Sequence, residues 1–180
     1  MYHIKNDRRA RASAERICAA LLALLEEKPF EAVTIGDIQR VSTASRSTFY
    51  RNFDRLEDVL ALLCDRGFQE AFRRERGEGY PVAVFRYWSE NSSVLETLVS
   101  IRRTDLLFSS FRRTAAELPA LRELAENAAQ YDYFVSIITS GMAGILVTWI
   151  EHGKRETPDE VLAHVIAAFG NLFALGIPQG

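Results

Sequence analysis

The stretch TIGDIQRVSTASRSTFYRNFDR, residues 34–55, decides how this chain is read. Thr34 is expected as an N-cap before IGDIQRV, with Asp37 three residues on as the acid of a capping box. That short helix stops near Val41. Ser42-Thr43-Ala44-Ser45 reads as a polar turn, Ser45 caps again, and RSTFYRNF follows as a second short helix. Upstream, Ile17, Leu21, Leu24 and Leu25 repeat at helical spacing on a helix expected from about Ser13 to Glu27 and ended by Lys28-Pro29. Downstream, Asp54 is expected to cap a longer helix whose stripe of Leu56, Val59, Leu60, Leu63 and Phe68 runs toward Arg73.

Two short helices in tandem, joined by a tight turn and braced by a helix before them, make a helix-turn-helix. Such a unit lays its second helix in the major groove of DNA, with the first helix across the backbone. The outward positions of that second helix are Arg46, Ser47, Thr48, Tyr50 and Arg51, while Phe49 and Phe53 point inward. Arg46 suits direct readout, because its planar fork pairs with guanine O6 and N7. Tyr50 suits a phosphate contact, as does Thr34 at a helix N-terminus.

The charge balance argues the other way at first. Lys and Arg number 22 against 24 Asp and Glu, a formal charge of −2 in 180 residues. Resolved by segment, residues 1–16 carry Lys5, Arg8, Arg9, Arg11 and Arg16 against Asp7 and Glu15, and residues 40–55 carry Arg40, Arg46, Arg51 and Arg55 against Asp54. Each segment is +3, which leaves −8 on the remainder. The basic charge therefore falls on the segments expected to meet DNA. A composition of 48 % hydrophobic and 26 % charged residues excludes a disordered or low-complexity chain.

Residues from about Arg16 to Leu60 resemble the DNA-binding domain of TetR/AcrR-type bacterial regulators. The resemblance rests on the amphipathic first helix, Thr34 before an Ile-containing helix, and the pattern Ser45, Thr48, Phe49, Tyr50, Phe53. It implies contacts to double-stranded operator DNA from Thr34, Ser45, Arg46, Ser47, Thr48, Tyr50, Arg51, Asn52 and Arg55. Three positions depart from the pattern. Thr43 replaces the usual turn glycine, Asn52 stands where His is frequent but can still donate to a phosphate, and Leu56 replaces a phosphate-binding Lys whose contact Arg55 could take over.

Beyond the break at Gly77-Glu78-Gly79-Tyr80-Pro81, helices are expected at Pro81–Glu90, Ser92–Ile101, Thr104–Thr114, Leu118–Ala129 and Tyr131–His152. A last helix follows Thr157 as N-cap, with Pro158 at N1 and Glu160 at N3, and runs to Gly176. The fold class is thus all-α: an N-terminal three-helix DNA-binding domain (1–55) joined to a helical effector-binding and dimerisation domain (56–180). YDYFVSIITSGMAGILVTWIEHG with ETPDEV also resembles the C-terminal half of a dihydroxyacetone-kinase-regulator-like branch of the same family. The resemblance implies that the last two helices pair across a two-fold axis, with Ser140, Gly141, Gly144, Trp149, Ala163, Ala167 and Gly170 at the homodimer interface. Trp88, Phe108, Phe111, Arg112, Tyr131 and Phe134 are the candidate pocket for an unknown small-molecule effector.

Other chemistries find little support. Cys18 and Cys64 lie in apolar runs without metal-ligand spacing and indicate a reducing compartment. His164 reads as packing within the last helix, no nucleophile or P-loop pattern occurs, and neither cofactor nor metal is expected. The N-terminus has no apolar signal segment, and Val135–Ile150 falls short of the ~18 apolar residues of a membrane span, so a buried helix, no membrane and a cytoplasmic bacterial location are expected. The leading reading is a dimeric repressor released from a palindromic operator by an effector, not an enzyme. A second is an interaction protein of the same fold that binds DNA weakly and acts through a partner protein.

Overall fold

The computed structural model describes residues 2–123 and 127–174, in which the regular structure is helical and no strand occurs among the described residues. Ten α-helices follow in order among the described residues: α1 Arg8–Glu27, α2 Ile35–Ser42, α3 Arg46–Asn52, α4 Leu56–Arg74, α5 Tyr80–Glu90, α6 Ser93–Ser100, α7 Thr104–Ala115, α8 Pro119–Glu123, α9 Ala128–Glu151 and α10 Pro158–Ala174. The all-α architecture agrees with expectation, and so do most boundaries to within a residue or two.

Local chemistry sets the helix starts. At α2, the Thr34 hydroxyl accepts from the Asp37 backbone N–H at 3.1 Å while Asp37 Oδ2 accepts from the Thr34 N–H at 3.0 Å. Lys28 Nζ, 2.6 Å away, and Thr34 hold the Asp37 carboxyl far below the usual carboxylate range. The same reciprocal pair opens α10, where Thr157 and Glu160 exchange bonds of 2.8 and 3.3 Å. Helix α1 begins five residues earlier than Ser13, because Asp7 Oδ1 caps it by accepting from the Ala10 N–H at 2.8 Å. At α4 the cap is not Asp54 itself. Arg55 holds the N-cap position, and Asp58 reaches back to accept the backbone N–H groups of Asp54 and Arg55 at 3.0 and 3.2 Å.

The expected helix Leu118–Ala129 is instead the short α8, and Asn127 begins α9 by accepting from the Gln130 N–H at 3.0 Å. An Asx cap one residue before Ala128 is stronger than the propensity that would continue α8. Residues 124–126 and the expected end at Gly176 lie outside the described residues.

One apolar core runs through the molecule, from Ala14 and Ile17 in α1 through Phe49 and Phe53 to Leu146 and Trp149 in α9. At its centre lies an aromatic stack on α4. Phe68 is parallel to Phe111 of α7 at 4.6 Å between centroids and edge-on to Trp88 of α5 at 5.3 Å. Trp88 fits because Gly67 has no side chain: a Cβ there would lie 2.5 Å from two carbons of the indole ring. Helix α9 extends past the expected stretch Val135–Ile150, and its length and composition alone do not exclude a membrane crossing. Nor is it buried all round. Val135, Thr139, Met142, Leu146 and Trp149 are buried on one side, whereas Tyr133 and Ile137 are 75 % and 65 % exposed. His164, expected as packing, is exposed on α10.

Two glycine-related substitutions should act with opposite signs. Gly67→Ala gains up to ~1 kcal/mol of helix propensity but overpacks the Trp88 site by ~1–3 kcal/mol, so a net loss of about 1–2 kcal/mol is expected. Thr43 is held at φ 58°. Thr43→Gly should relieve the ~1–2 kcal/mol that left-handed backbone imposes on a residue with a Cβ, less ~0.5–1 kcal/mol of glycine entropy, and raise the melting temperature by about 2 °C. Thermal melts of the two variants check both signs.

Candidate nucleic-acid interface

Helix α3 is only seven residues long, too short to be stable alone, and everything that fixes it comes from outside or from its cap. Phe49 and Phe53 are fully buried, with their rings 5.6 Å apart. Behind them Ile17, Leu21 and Leu24 of α1 and Ile38 of α2 belong to the same core. The turn from α2 is closed by Thr43 in the left-handed region and by the Ser42 hydroxyl accepting from the Ala44 N–H at 3.1 Å. That conformation normally falls to glycine, so the departure noted in the sequence is accommodated with strain rather than by a different turn.

With one side of α3 locked, the opposite side is set. Ser45, Arg46, Ser47, Tyr50 and Arg51 are exposed and Thr48 is half-buried. The Ser45 hydroxyl caps the helix by accepting from the Thr48 N–H at 3.2 Å and lies 2.9 Å from both the Ser47 and Thr48 hydroxyls. The Arg46 guanidinium carbon sits 5.7 Å from the centroid of the Tyr50 ring, a cation–π contact across one helical turn that restrains both exposed side chains. Thr34 is exposed at the start of α2, its hydroxyl already engaged with Asp37 at 2.7 Å. Arg55 is exposed at the start of α4.

Asn52 departs from expectation. It is 1 % exposed and its Nδ2 donates back to the Thr48 carbonyl at 2.8 Å, so it braces the end of α3 and is not presented on the outward face. Its position four residues after Thr48 places it over the turn it bonds, on the side facing α1.

Two residues outside the expected set join the surface. Arg9 and Arg16, seven apart on α1, line a cleft of about 430 Å³ together with Thr48 and Arg51 of α3. The i, i+7 spacing on one helix face was the available signal, but only packing of α1 beside α3 brings those guanidinium groups to Arg51.

The expected effector residues are divided between the core and the surface. Trp88 and Phe111 are buried in the stack on Phe68, and Arg112 is exposed. Phe108, Tyr131 and Phe134 are partly buried and pack against the core. Their aromatic rings therefore contribute to the core of the chain. An apolar crevice of about 150 Å³ lies elsewhere, between α5, α9 and α10, bounded by Phe85, Ile138, Met142, Val161, Leu162 and Phe169 among others.

Of the residues expected at a dimer interface, Ser140, Gly141, Gly144, Ala163, Ala167 and Gly170 are all exposed. Ile137, Ile166 and Phe169 on the same two helices are 65 %, 63 % and 52 % exposed. Trp149 is the exception. It is buried at 6 %, edge-on to Phe85 at 5.3 Å, with its indole N–H donating to the Glu156 carbonyl at 2.9 Å. Both its ring and its N–H are thus engaged within the chain.

Comparison with known proteins extends the reading to the second half. A TetR C-terminal family model, described as "Transcriptional regulator C-terminal region", matches residues 79–169, about half of the 180. No curated protein matches the chain. Among solved structures, Lin0861 from Listeria innocua superposes with a TM-score of 0.75 at 16 % identity, covering 94 % of this chain and 96 % of that one. The dihydroxyacetone kinase operon activator DhaS superposes with a TM-score of 0.60 at 13 % identity, over 91 % and 97 % of the two chains. A TetR transcriptional regulator from Streptococcus agalactiae 2603V gives 0.59 at 22 % identity, over 90 % and 96 %. At these identities the likeness is one of fold, and it includes the helix-turn-helix that the matched region does not reach. An N-terminal helix-turn-helix, a helical body and the family match over that body agree: the chain belongs to the TetR family of transcriptional regulators.

Proposed function

We propose that the protein is a homodimeric repressor that binds a palindromic double-stranded operator in the cytoplasm and releases it when a small-molecule effector binds. The single observation that carries the DNA-binding part is α3: an arginine-bearing face held outward by the burial of Phe49 and Phe53. In this reading Arg46 contacts a base edge, with its guanidinium pre-oriented over Tyr50. Ser45, Ser47, Thr48, Tyr50, Arg51, Thr34 and Arg55 contact the sugar-phosphate backbone, and Arg9 and Arg16 add charge beside Arg51. Residues 1–55 act as the DNA-binding unit and 56–180 as the effector and dimer unit.

Dimerisation is supported by the open face of α9 and α10. Isolated large apolar side chains at a surface need no explanation, but Ile137, Ile166 and Phe169 lie among Gly141, Gly144, Ala163, Ala167 and Gly170 on two adjacent helices. Small residues let a second pair of helices approach closely, and a two-fold pairing places two copies of α3 on two half-sites. The effector site consistent with the packing is the apolar crevice beside α10, which suits an uncharged, largely hydrocarbon ligand.

Operator binding, measured on duplexes from the DNA upstream of the protein's own gene across a salt series, tests the reading. Arg46→Ala should lower specific affinity by about 1–3 kcal/mol and relax preference at one base position. Arg51→Ala should weaken all sequences alike and reduce the salt slope by about one unit. Purely non-specific binding of the unmodified protein would instead favour an interaction protein that acts through a partner. Ile137→Glu should convert a dimer to a monomer in sedimentation and abolish tight operator binding, because a single helix-turn-helix reads too few base pairs.

A further inference from the structure

Two consecutive residues, Tyr2 and His3, bond two different helices. The Tyr2 hydroxyl donates to Oδ2 of Asp65 on α4, and the His3 backbone N–H donates to the carbonyl of Asn52, the last residue of α3, at 2.9 Å. Asp65 is a carboxylate only 4 % exposed, and its other oxygen accepts from Arg113 Nη2 of α7 at 2.9 Å. Arg113 also donates to the Ser110 hydroxyl at 3.1 Å, which in turn donates to the Ala61 carbonyl of α4 at 3.3 Å. A continuous polar path thus runs from α7, through a buried carboxylate, to the residue next to the one that grips the end of α3.

A carboxylate in a low-dielectric core depends on both of its partners. Movement of α7 along α4 that withdraws Arg113 changes what Asp65 asks of Tyr2. Tyr2 cannot shift alone, because adjacent Cα atoms are fixed at about 3.8 Å. Burial and the neighbouring carboxylate keep the phenol protonated, so it remains a donor. Ile4, packed against the core, anchors the far side of the same short strap.

We infer that Tyr2, Asp65 and Arg113 are positioning residues: through the Tyr2–His3 strap they transmit the placement of α7 on α4 to the C-terminal end of α3. The mechanical statement stands on these contacts, and only its consequence for operator affinity rests on the proposed DNA recognition. The test uses the full chain with Arg113→Gln and Tyr2→Phe. Nitrogen-15 relaxation of the His3 amide should fall from an order parameter of roughly 0.85 to below about 0.6 in either variant, although Arg113 does not touch His3. Specific operator affinity should drop about tenfold with the salt slope unchanged, because no phosphate contact is removed. An unaltered His3 order parameter in Arg113→Gln overturns the inference whatever the DNA result. Absence of specific binding by the unmodified protein overturns the DNA reading and leaves the relaxation readout intact. Should Arg113→Gln fail to fold, Tyr2→Phe, which removes one hydroxyl and keeps the ring, decides alone: a His3 amide as rigid as in the unmodified protein overturns the inference.

Discussion

Helix α4 has to pack on two sides at once, and the rest of the structure depends on that constraint. Its residues Val59, Leu60, Cys64, Phe68 and Ala71 are buried, and it packs against α1 on one side and α5, α6 and α7 on the others. Amphipathic surface helices bury one stripe. A helix buried on more than one side must carry small residues where a large neighbour approaches, and Gly67 under the Trp88 ring is that place. The helix-turn-helix and the C-terminal body therefore share one core rather than two cores joined by a linker. Polar groups caught in such a helix must be satisfied internally, which is why Asp65 is bonded from both the N-terminal strap and α7.

The outward face of α3 follows from the same economy of length. Seven residues of α3 cannot hold a helix by propensity, so the Ser45 cap and two buried phenylalanines supply the order. Once those inward positions are fixed, the outward ones are fixed too, because both belong to one rigid turn of backbone. Charge is uneven along the chain: residues 1–16 and 40–55 carry +3 each within the unit that holds α3, whereas residues 56–180 sum to −5. A nearly neutral chain can in this way keep its positive charge in one segment of its sequence, and such asymmetry favours one docking orientation.

The features legible in the sequence are those whose cause lies within four residues. Thr34 with Asp37, Ser45 with Thr48 and Thr157 with Glu160 are caps in the sequence and caps in the structure, since the bonds that make them span three residues. The side of α3 that faces inward was legible for the same reason. The structural work of Asn52, Trp88 and Trp149 is not legible in the sequence, because residue type gives chemistry but not surroundings. An amide that donates to Thr48, a ring stacked on Phe68 and an indole bonded to Glu156 all serve the fold, although the same side chains elsewhere could have met a phosphate, a ligand or a second subunit.

By itself, then, the amino-acid order determined the helical class, most helix starts and the identity of the outward face of α3, because helix periodicity and capping are short-range and strong. Tertiary structure alone decided that Arg9 and Arg16 join Arg51, that the apolar crevice lies beside α10, and that Tyr2 reaches Asp65 across 63 positions of chain. Those arrangements depend on which helices lie side by side, and that is set by the sum of many weak contacts in the shared core rather than by any local pattern.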